Sequence, residues 1–305
     1  MVDICRHQRL TWVFEKRSRP WWGGLMLVVA ALMGASEALA TSVIDGRGVL
    51  VQVSHPPRRV VSLLPSLTEM VCAMALCDRL VGVDRYSNYP SRVRMLPKMG
   101  GGLDPDVEAV LALRPDLVLL ATSSAAVARF EALGVPVMAI EPKTHADVRD
   151  GFAKLGRLFE VPDPLGPWKV IEAGMREAAH SVPVRHPTTT VYFEVNAAPY
   201  AASESSFIGQ TLALLGVKNI VPAELGLFPK LNPEWVVRSE PDLIMVADST
   251  ASSLVERPGW SRLKAMSFGR VCLFTPEQSD LIVRPGPRMV EGAKLLAQCI
   301  REKAP

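Results

Sequence analysis

The sequence has almost no surplus charge. Its 34 Lys and Arg stand against 31 Asp and Glu, a formal net charge of +3 over 305 residues. Such a balance argues against a nucleic-acid binder, whose basic residues cluster on one face. Glycine (21) and proline (25) are scattered without a period, which excludes collagen-like and low-complexity chains. There is no C-x-x-C, so neither a zinc knuckle nor a thioredoxin-like redox site is indicated. There is no G-x-S-x-G elbow and no G-x-x-x-x-G-K-[ST] phosphate loop, and Gly100-Gly101-Gly102 is a bare triplet rather than G-x-G-x-x-G. No histidine lies four residues from another or beside a cysteine, as a protein zinc site would want. His145 reads more simply as part of a helix start capped by Thr144. What is present is ordinary globular composition, 49% hydrophobic and 21% charged, in a length suited to about two domains.

The small positive charge comes from the first segment. Arg6, Arg9, Lys16, Arg17 and Arg19 precede an apolar stretch from Leu25 to Ala35, followed by Ala38-Leu39-Ala40 before Thr41. This is the pattern of a cleavable secretory signal, and the apolar run is shorter than the roughly 20 residues of a membrane span. Removing its five basic and three acidic residues leaves 29 against 28. The expectation is an exported, nearly neutral chain beginning at Thr41. Cys72, Cys77, Cys272 and Cys299 remain in it. Export permits disulfides, but four cysteines allow three pairings and spacing does not choose among them.

An internal repeat organises the rest. Residues 103–121 read LDPDVEAVLALRPDLVLLA and residues 231–247 read LNPEWVVRSEPDLIMVA. Each opens with an Asx residue (Asp104, Asn232), then proline and an acid, as a helix N-terminus does. Each helix stops before a second proline, and Asp-Leu then leads into an apolar strand ending at Ala121 or Ala247. A Ser/Thr-rich loop follows each strand, at 122–124 and 249–250. Two such units predict two similar α/β lobes. Further strands are expected at 49–53 (after an Asp45-Gly46 turn), 60–64, 80–83, 135–140, 189–195 and 271–274, and Ser66–Glu69 reads as a capping box. Residues 147–159 and 165–180 read as helix, a stiff connection that should limit relative motion of the lobes. The expected organisation is a signal peptide at 1–40, an α/β lobe at 41–160, a bridging helix at 161–182 and a second α/β lobe at 183–305.

In open α/β sheets ligands sit beyond the carboxyl ends of the strands. Here those loops are 64–68, 84–90, 99–104 and 121–125, then 196–207, 225–231, 248–253 and 276–287. They carry Tyr86, Asn88, Tyr89, Gly101, Tyr200, Phe228, Asp280 and Arg284. Aromatics with a few polar groups suit a small-molecule pocket, and Gly101 suits close approach of a ligand. No histidine falls in these loops, which counts against the alternative of an exported α/β enzyme using the same cleft.

RRVVSLLPSLTEMVCAMAL, VGVDRYSNYP, the glycine triplet with LDPDVEAVLALRPDLVLL, and RPGPRMVEGAKLLA together resemble the substrate-binding proteins of ABC importers with a helical backbone, the cobalamin-binding members above all. The resemblance spans nearly all of residues 41–305. It implies two α/β lobes bridged by one long helix, with the ligand between them, and no catalysis. The ligand it implies is a metal chelate, cobalamin or a related corrinoid first, a ferric siderophore or haem as the alternative. No cofactor is held covalently and no metal directly. The partners implied are a membrane permease and its ATPase, with the chain acting as a monomer in the periplasm. Tyr86, Asp280 and Arg284 match ligand-contacting positions and Phe228 lies near one. Ala121 and Leu281 stand where cobalamin-binding members carry tryptophan. Members dock to the permease through one surface carboxylate per lobe. Glu69 matches the first, and Glu204 lies beside the second, at Ser205.

Overall fold

The computed structural model describes residues 41–184, 188–196, 199–247 and 254–305, and residues 40–305 form one compact unit. The expected signal segment, His186 and the Ser249-Thr250 loop lie outside the described residues.

The apolar runs become two parallel sheets. In the first, β3 (Val60–Ser62), β4 (Leu80–Val83), β5 (Leu117–Leu120) and β6 (Val137–Ala139) lie in the order β4-β3-β5-β6, every pair parallel. Their continuous rather than alternating hydrophobicity reflects burial on both faces. In the second, β7 (Thr190–Asn196), β10 (Leu243–Val246) and β11 (Val271–Leu273) run parallel in the order β11-β10-β7. The free edge of β7 takes two short strands. β9 (Lys218–Asn219) is parallel on its first half and β8 (Tyr200–Ala201) antiparallel on its second.

The two copies of the repeat supply β5 and β10. Helix α2 (Val107–Ala112) precedes β5, and α7 (Pro233–Ser239) precedes β10. Asn232 caps α7, accepting the Glu234 N–H. In the first copy the cap is Asp106 rather than Asp104: Asp106 accepts the Ala109 N–H, while Asp104 turns away to Arg85. Each helix is followed by a left-handed non-glycine residue directly before its proline, Arg114 (φ 47°) and Glu240 (φ 41°).

Helix α1 (Pro65–Ala73) also begins otherwise than its sequence suggests. Leu64 is the N-cap and no side chain caps the helix. Pro65 has no N–H to satisfy and its fixed φ starts the turn. That leaves Glu69 free to bond elsewhere. The Asp45-Gly46 turn does form a hairpin, β1 (Thr41–Ile44) antiparallel to β2 (Leu50–Val53). The Gly46 N–H donates to the Ala139 carbonyl at 2.8 Å, so the turn covers the outer edge of β6. The cysteines pair within each half, Cys72 with Cys77 and Cys272 with Cys299.

Short helices α3 (Ala126–Ala132), α6 (Phe207–Leu214) and α8 (Lys264–Ser267) flank the sheets. Between the sheets in sequence come α4 (His145–Leu158) and α5 (Gly166–His180), about 22 Å long at 1.5 Å per residue. The chain ends in α9 (Pro276–Val283) and α10 (Met289–Lys303). Helices α5 and α10 touch closely at Gly174, where a Cβ would lie 2.6 Å from a Val290 methyl. One buried apolar cluster joins both halves, from Val60 and Leu117 through Phe152, Trp168 and Met175 to Phe193 and Leu296. Separate clusters cover the far face of each sheet, around Leu63 and Phe130 in the first and Tyr192 and Trp260 in the second. Each fully buried Leu or Phe contributes roughly 1.5–3 kcal/mol, so the shared cluster ties the halves together along their base.

Candidate functional site

Beyond the end of β4, the segment 84–90 is organised by one carboxylate. Asp84 is fully buried and accepts the N–H of Tyr86 (2.8 Å), the N–H of Ser87 (3.1 Å) and the hydroxyl of Ser87 (2.5 Å). Thr68 Oγ1 lies 2.9 Å from both Ser87 Oγ and Ser62 Oγ, which continues this polar row into α1. Burial pushes the Asp84 carboxyl above its ordinary range, against the opposing pull of Ser87, the Tyr86 amide and the nearby Arg284 charge. Lys98 donates to the Ser87 carbonyl at 2.7 Å and is pushed down by burial, with Asp84 working the other way.

This braced segment meets α9 and the turn after it. Asn88 donates through Nδ2 to Asp280 Oδ2 at 3.0 Å and accepts through Oδ1 from Arg284 Nη1 at 2.7 Å. Arg284 also reaches the Tyr86 carbonyl at 3.2 Å and Asp280 Oδ1 at 2.7 Å. Tyr86, Asn88, Asp280 and Arg284, nearly 200 residues apart in sequence, therefore converge. The Tyr86 ring stays 60% exposed beside them. Gly101 adjoins the group: a Cβ there would collide with Asp104 Oδ1, whose carboxylate pairs with Arg85 at 2.5 Å, and the Arg85 guanidinium lies 5.9 Å from the Tyr86 ring centre.

Tyr200 and Phe228 form a different group. They stand on β8 and the segment paired with it through Ala201 N–H to Pro229 O and Ser203 N–H to Leu227 O, both 3.0 Å. Phe228 packs edge-on to Phe207 at 6.1 Å. Among the described residues no hydrogen bond or ring contact joins this pair to the Tyr86 group. Leu281 faces away as well, lining a surface cavity of about 490 Å³ between α5 and α10 with Glu177 and Lys294.

Glu69 departs from the exposed docking carboxylate that the resemblance implies. It is 3% exposed, and Arg288 grips it at both oxygens, Nε to Oε2 at 2.9 Å and Nη2 to Oε1 at 2.6 Å. Arg284 Nη1 stands 3.5 Å from Oε1. Burial works to lower the Arg288 guanidinium, but the bonds and charge of Glu69 outweigh it and leave it raised. Glu204, by contrast, is exposed on the second half.

Residues 60–277 match the family described as periplasmic binding protein. The chain belongs to that family. It is 27% identical over 306 residues to an uncharacterised ABC transporter substrate-binding lipoprotein, YvrC, of Bacillus subtilis, covering 92% of this chain and 96% of that one. It is 23% identical over 261 residues to the vitamin B12-binding protein of Pectobacterium atrosepticum, covering 81% and 89%. The periplasmic haem-binding protein RhuT of Roseiflexus sp. RS-1, solved in apo form, superposes with a TM-score of 0.68 at 24% identity, covering 81% and 99%.

In this periplasmic binding protein a second contact crosses between the halves. Phe207 N–H donates to the Lys143 carbonyl at 2.8 Å, and His145 N–H donates to Gln210 Oε1 at 2.8 Å. The His145 ring lies 3.0 Å from the Phe207 carbonyl and 2.9 Å from Thr211 Oγ1, and burial pushes its pKa down. Thr144 and Asp147 form a full capping box beside it. Among the described residues no three His, Cys, Asp or Glu side chains are grouped to hold a metal, and no helix is long and apolar enough to cross a membrane. Three residues of the site escaped sequence reasoning. Arg288 lies four positions after Arg284 in the same RPGPR stretch, a spacing that could have found it. Asp84 and Arg85 directly follow the end of β4, just before Tyr86, a place where a turn-forming Asp is common.

Proposed function

We propose that this chain is the substrate-binding component of an ABC importer, that it takes a corrinoid, cobalamin first, at the cleft beside Tyr86, and that it hands the ligand to a permease powered by an ATPase. Family membership and a vitamin B12-binding relative support the class. One observation carries the ligand: the arginines of the site are already matched with carboxylates, Arg85 with Asp104, Arg284 with Asp280 and Arg288 with Glu69. Such a rim presents donors and acceptors in balance rather than a free cation. It suits a ligand edged with neutral carboxamides, as corrinoids are, better than one edged with carboxylates. The exposed Tyr86 ring supplies an apolar face for a flat macrocycle. Tyr200 and Phe228 would close the cleft from the second half, and Gly101 would let the ligand approach the backbone. Glu204, exposed on the second half, would meet the permease there. The signal-like segment and the paired cysteines support export to an oxidising compartment.

The second reading is a ferric siderophore or haem. The phenols of Tyr86, Tyr89 and Tyr200, each at least 40% exposed, favour it, because they are hard oxygen donors for ferric iron. Calorimetric titration of the chain from Thr41 onward decides between them. One-to-one binding of cobalamin, with haem and a ferric hydroxamate silent, is the expected result. Binding of haem or the hydroxamate alone transfers the function to iron, and silence of all three overturns both.

A further inference from the structure

Among the described residues Glu69 is the most heavily used carboxylate between the two halves, and its partners indicate what it is for. It projects from α1, whose neighbouring residue Thr68 touches the Ser87 hydroxyl behind the Tyr86–Asn88 segment. Its two arginines come from the other side, out of the turn between α9 and α10. Arg288 forks onto both oxygens, and its guanidinium lies 4.4 Å from the Tyr89 ring centre. Arg284, 3.5 Å from Oε1, is the same residue that holds Asn88, the Tyr86 carbonyl and Asp280. Two acids and two bases thus alternate across the mouth of the site. Side-chain exposures of 2% for Glu69, 12% for Arg284 and 13% for Arg288 put this set largely out of water.

We propose that Glu69 and Arg288 are positioning residues of the ligand site: together they form a clasp between the halves that aims Arg284, and through it Asn88, at the cleft. Glu69 then acts inside the chain, on Arg288 and Arg284. The geometry divides the labour. The bidentate Arg288 fork fixes the turn after α9 against α1. Arg284 bridges from that fixed turn to Asn88, held between Asp280 and Glu69. Loss of the Glu69 charge removes the anchor for Arg288 and frees Arg284 to turn toward Asp280 alone, so the mouth loses its shape while the shared apolar base stays intact.

The affinity arm of the test rests on the corrinoid reading; the distance arm does not. Spin labels are placed at Met95→Cys on the first half and Glu224→Cys on the second, both exposed, in the chain from Thr41 onward, whose four cysteines are tied in disulfides. The unmodified clasp is expected to give one narrow distance distribution without any ligand, and Glu69→Gln a broader one. Cobalamin affinity is expected to fall about tenfold in Glu69→Gln, roughly one 1.4 kcal/mol step. Should Glu69→Gln not yield folded protein, Arg288→Lys keeps the charge but not the fork, and the same broadening is expected of it. An unchanged distance distribution in the Glu69 and Arg288 variants overturns the clasp, whether or not cobalamin binds. A broadened distribution in a protein that binds no cobalamin leaves the clasp standing and removes the corrinoid reading.

Discussion

In the first half, Asp116 accepts the N–H groups of Arg58 and Arg59 at 2.7 and 2.9 Å, just where β3 begins. In the second, Asp242 accepts the N–H and hydroxyl of Thr190 at 2.9 and 2.7 Å, just where β7 begins. The Asp of each Pro-Asp-Leu thus pins the start of the neighbouring strand, and register follows: Leu117 opposes Val60, and Leu243 opposes Val191. The same short phrase does the same work twice. What differs is how the sheets are finished. The outer strand of the first, β6, is covered by the β1–β2 turn, whereas that of the second, β11, is stapled to α10 by Cys272–Cys299. The first sheet keeps the small Ser62 buried at the end of β3. The second buries Glu194 in β7, held by both terminal nitrogens of Arg257 at 2.6 and 2.8 Å and by the Tyr192 hydroxyl at 2.9 Å. Arg257 in turn lies 4.6 Å from the Trp260 ring centre. The lesson is that a repeated unit sets the strands, while edges and strand ends carry what is individual to each half.

That contrast can be broken most sharply at Glu194. Removing it by Glu194→Ala leaves Arg257 buried without its partner, and the expected loss is about 3–5 kcal/mol by denaturant melting. Ser62→Ala, at the buried end of β3, should cost far less, since it removes only a neutral hydroxyl. A Glu194 variant as stable as the parent would mean that water reaches Arg257. The disulfides should differ next. On a chain-entropy basis, replacing Cys272 and Cys299 by serine removes a bridge spanning 27 residues, worth about 3.5 kcal/mol, whereas Cys72 and Cys77 span 5, worth about 2 kcal/mol. The reverse order in chemical melts would show that the β11 edge is secured by packing and not by its staple. The smallest effect tests sameness. Asp116→Ala and Asp242→Ala should each cost about 1–2 kcal/mol, and by equal amounts, since each removes two bonds from a half-exposed carboxylate. A large inequality would end the equivalence of the two units.

Much of the fold was legible in the sequence because its signals are local. Apolar runs, the doubled Pro-Asp-Leu and the Thr144 cap each act within a few residues, and they yielded both sheets and the connecting helices. The caps misread at Ser66 and Asp104 show the limit. Both have suitable neighbours in sequence, but Pro65 made a cap unnecessary in one case, and Arg85 drew the carboxylate away in the other. The site was half legible. Tyr86, Asn88, Asp280 and Arg284 could be chosen because they follow strand ends or match a family pattern. That Glu69 would be claimed by Arg288 could not, since the pairing spans 219 residues and depends on the turn after α9 folding back over α1. Disulfide pairing was open for the same reason: spacing alone does not say which chain segments meet.

The apolar cluster running from Val60 through Trp168 and Met175 to Leu296 has a thermodynamic consequence. A protein whose halves swing freely spends part of its time unable to bind, and its apparent affinity is diluted by that fraction. Here the floor between the halves is sealed when the chain folds and the Glu69–Arg288 fork holds the mouth above it, so nearly every molecule meets its solute already shaped. Intrinsic and observed affinity should then nearly coincide. Discrimination among solutes becomes a matter of fit to a standing mould, with little free energy set aside for closing it.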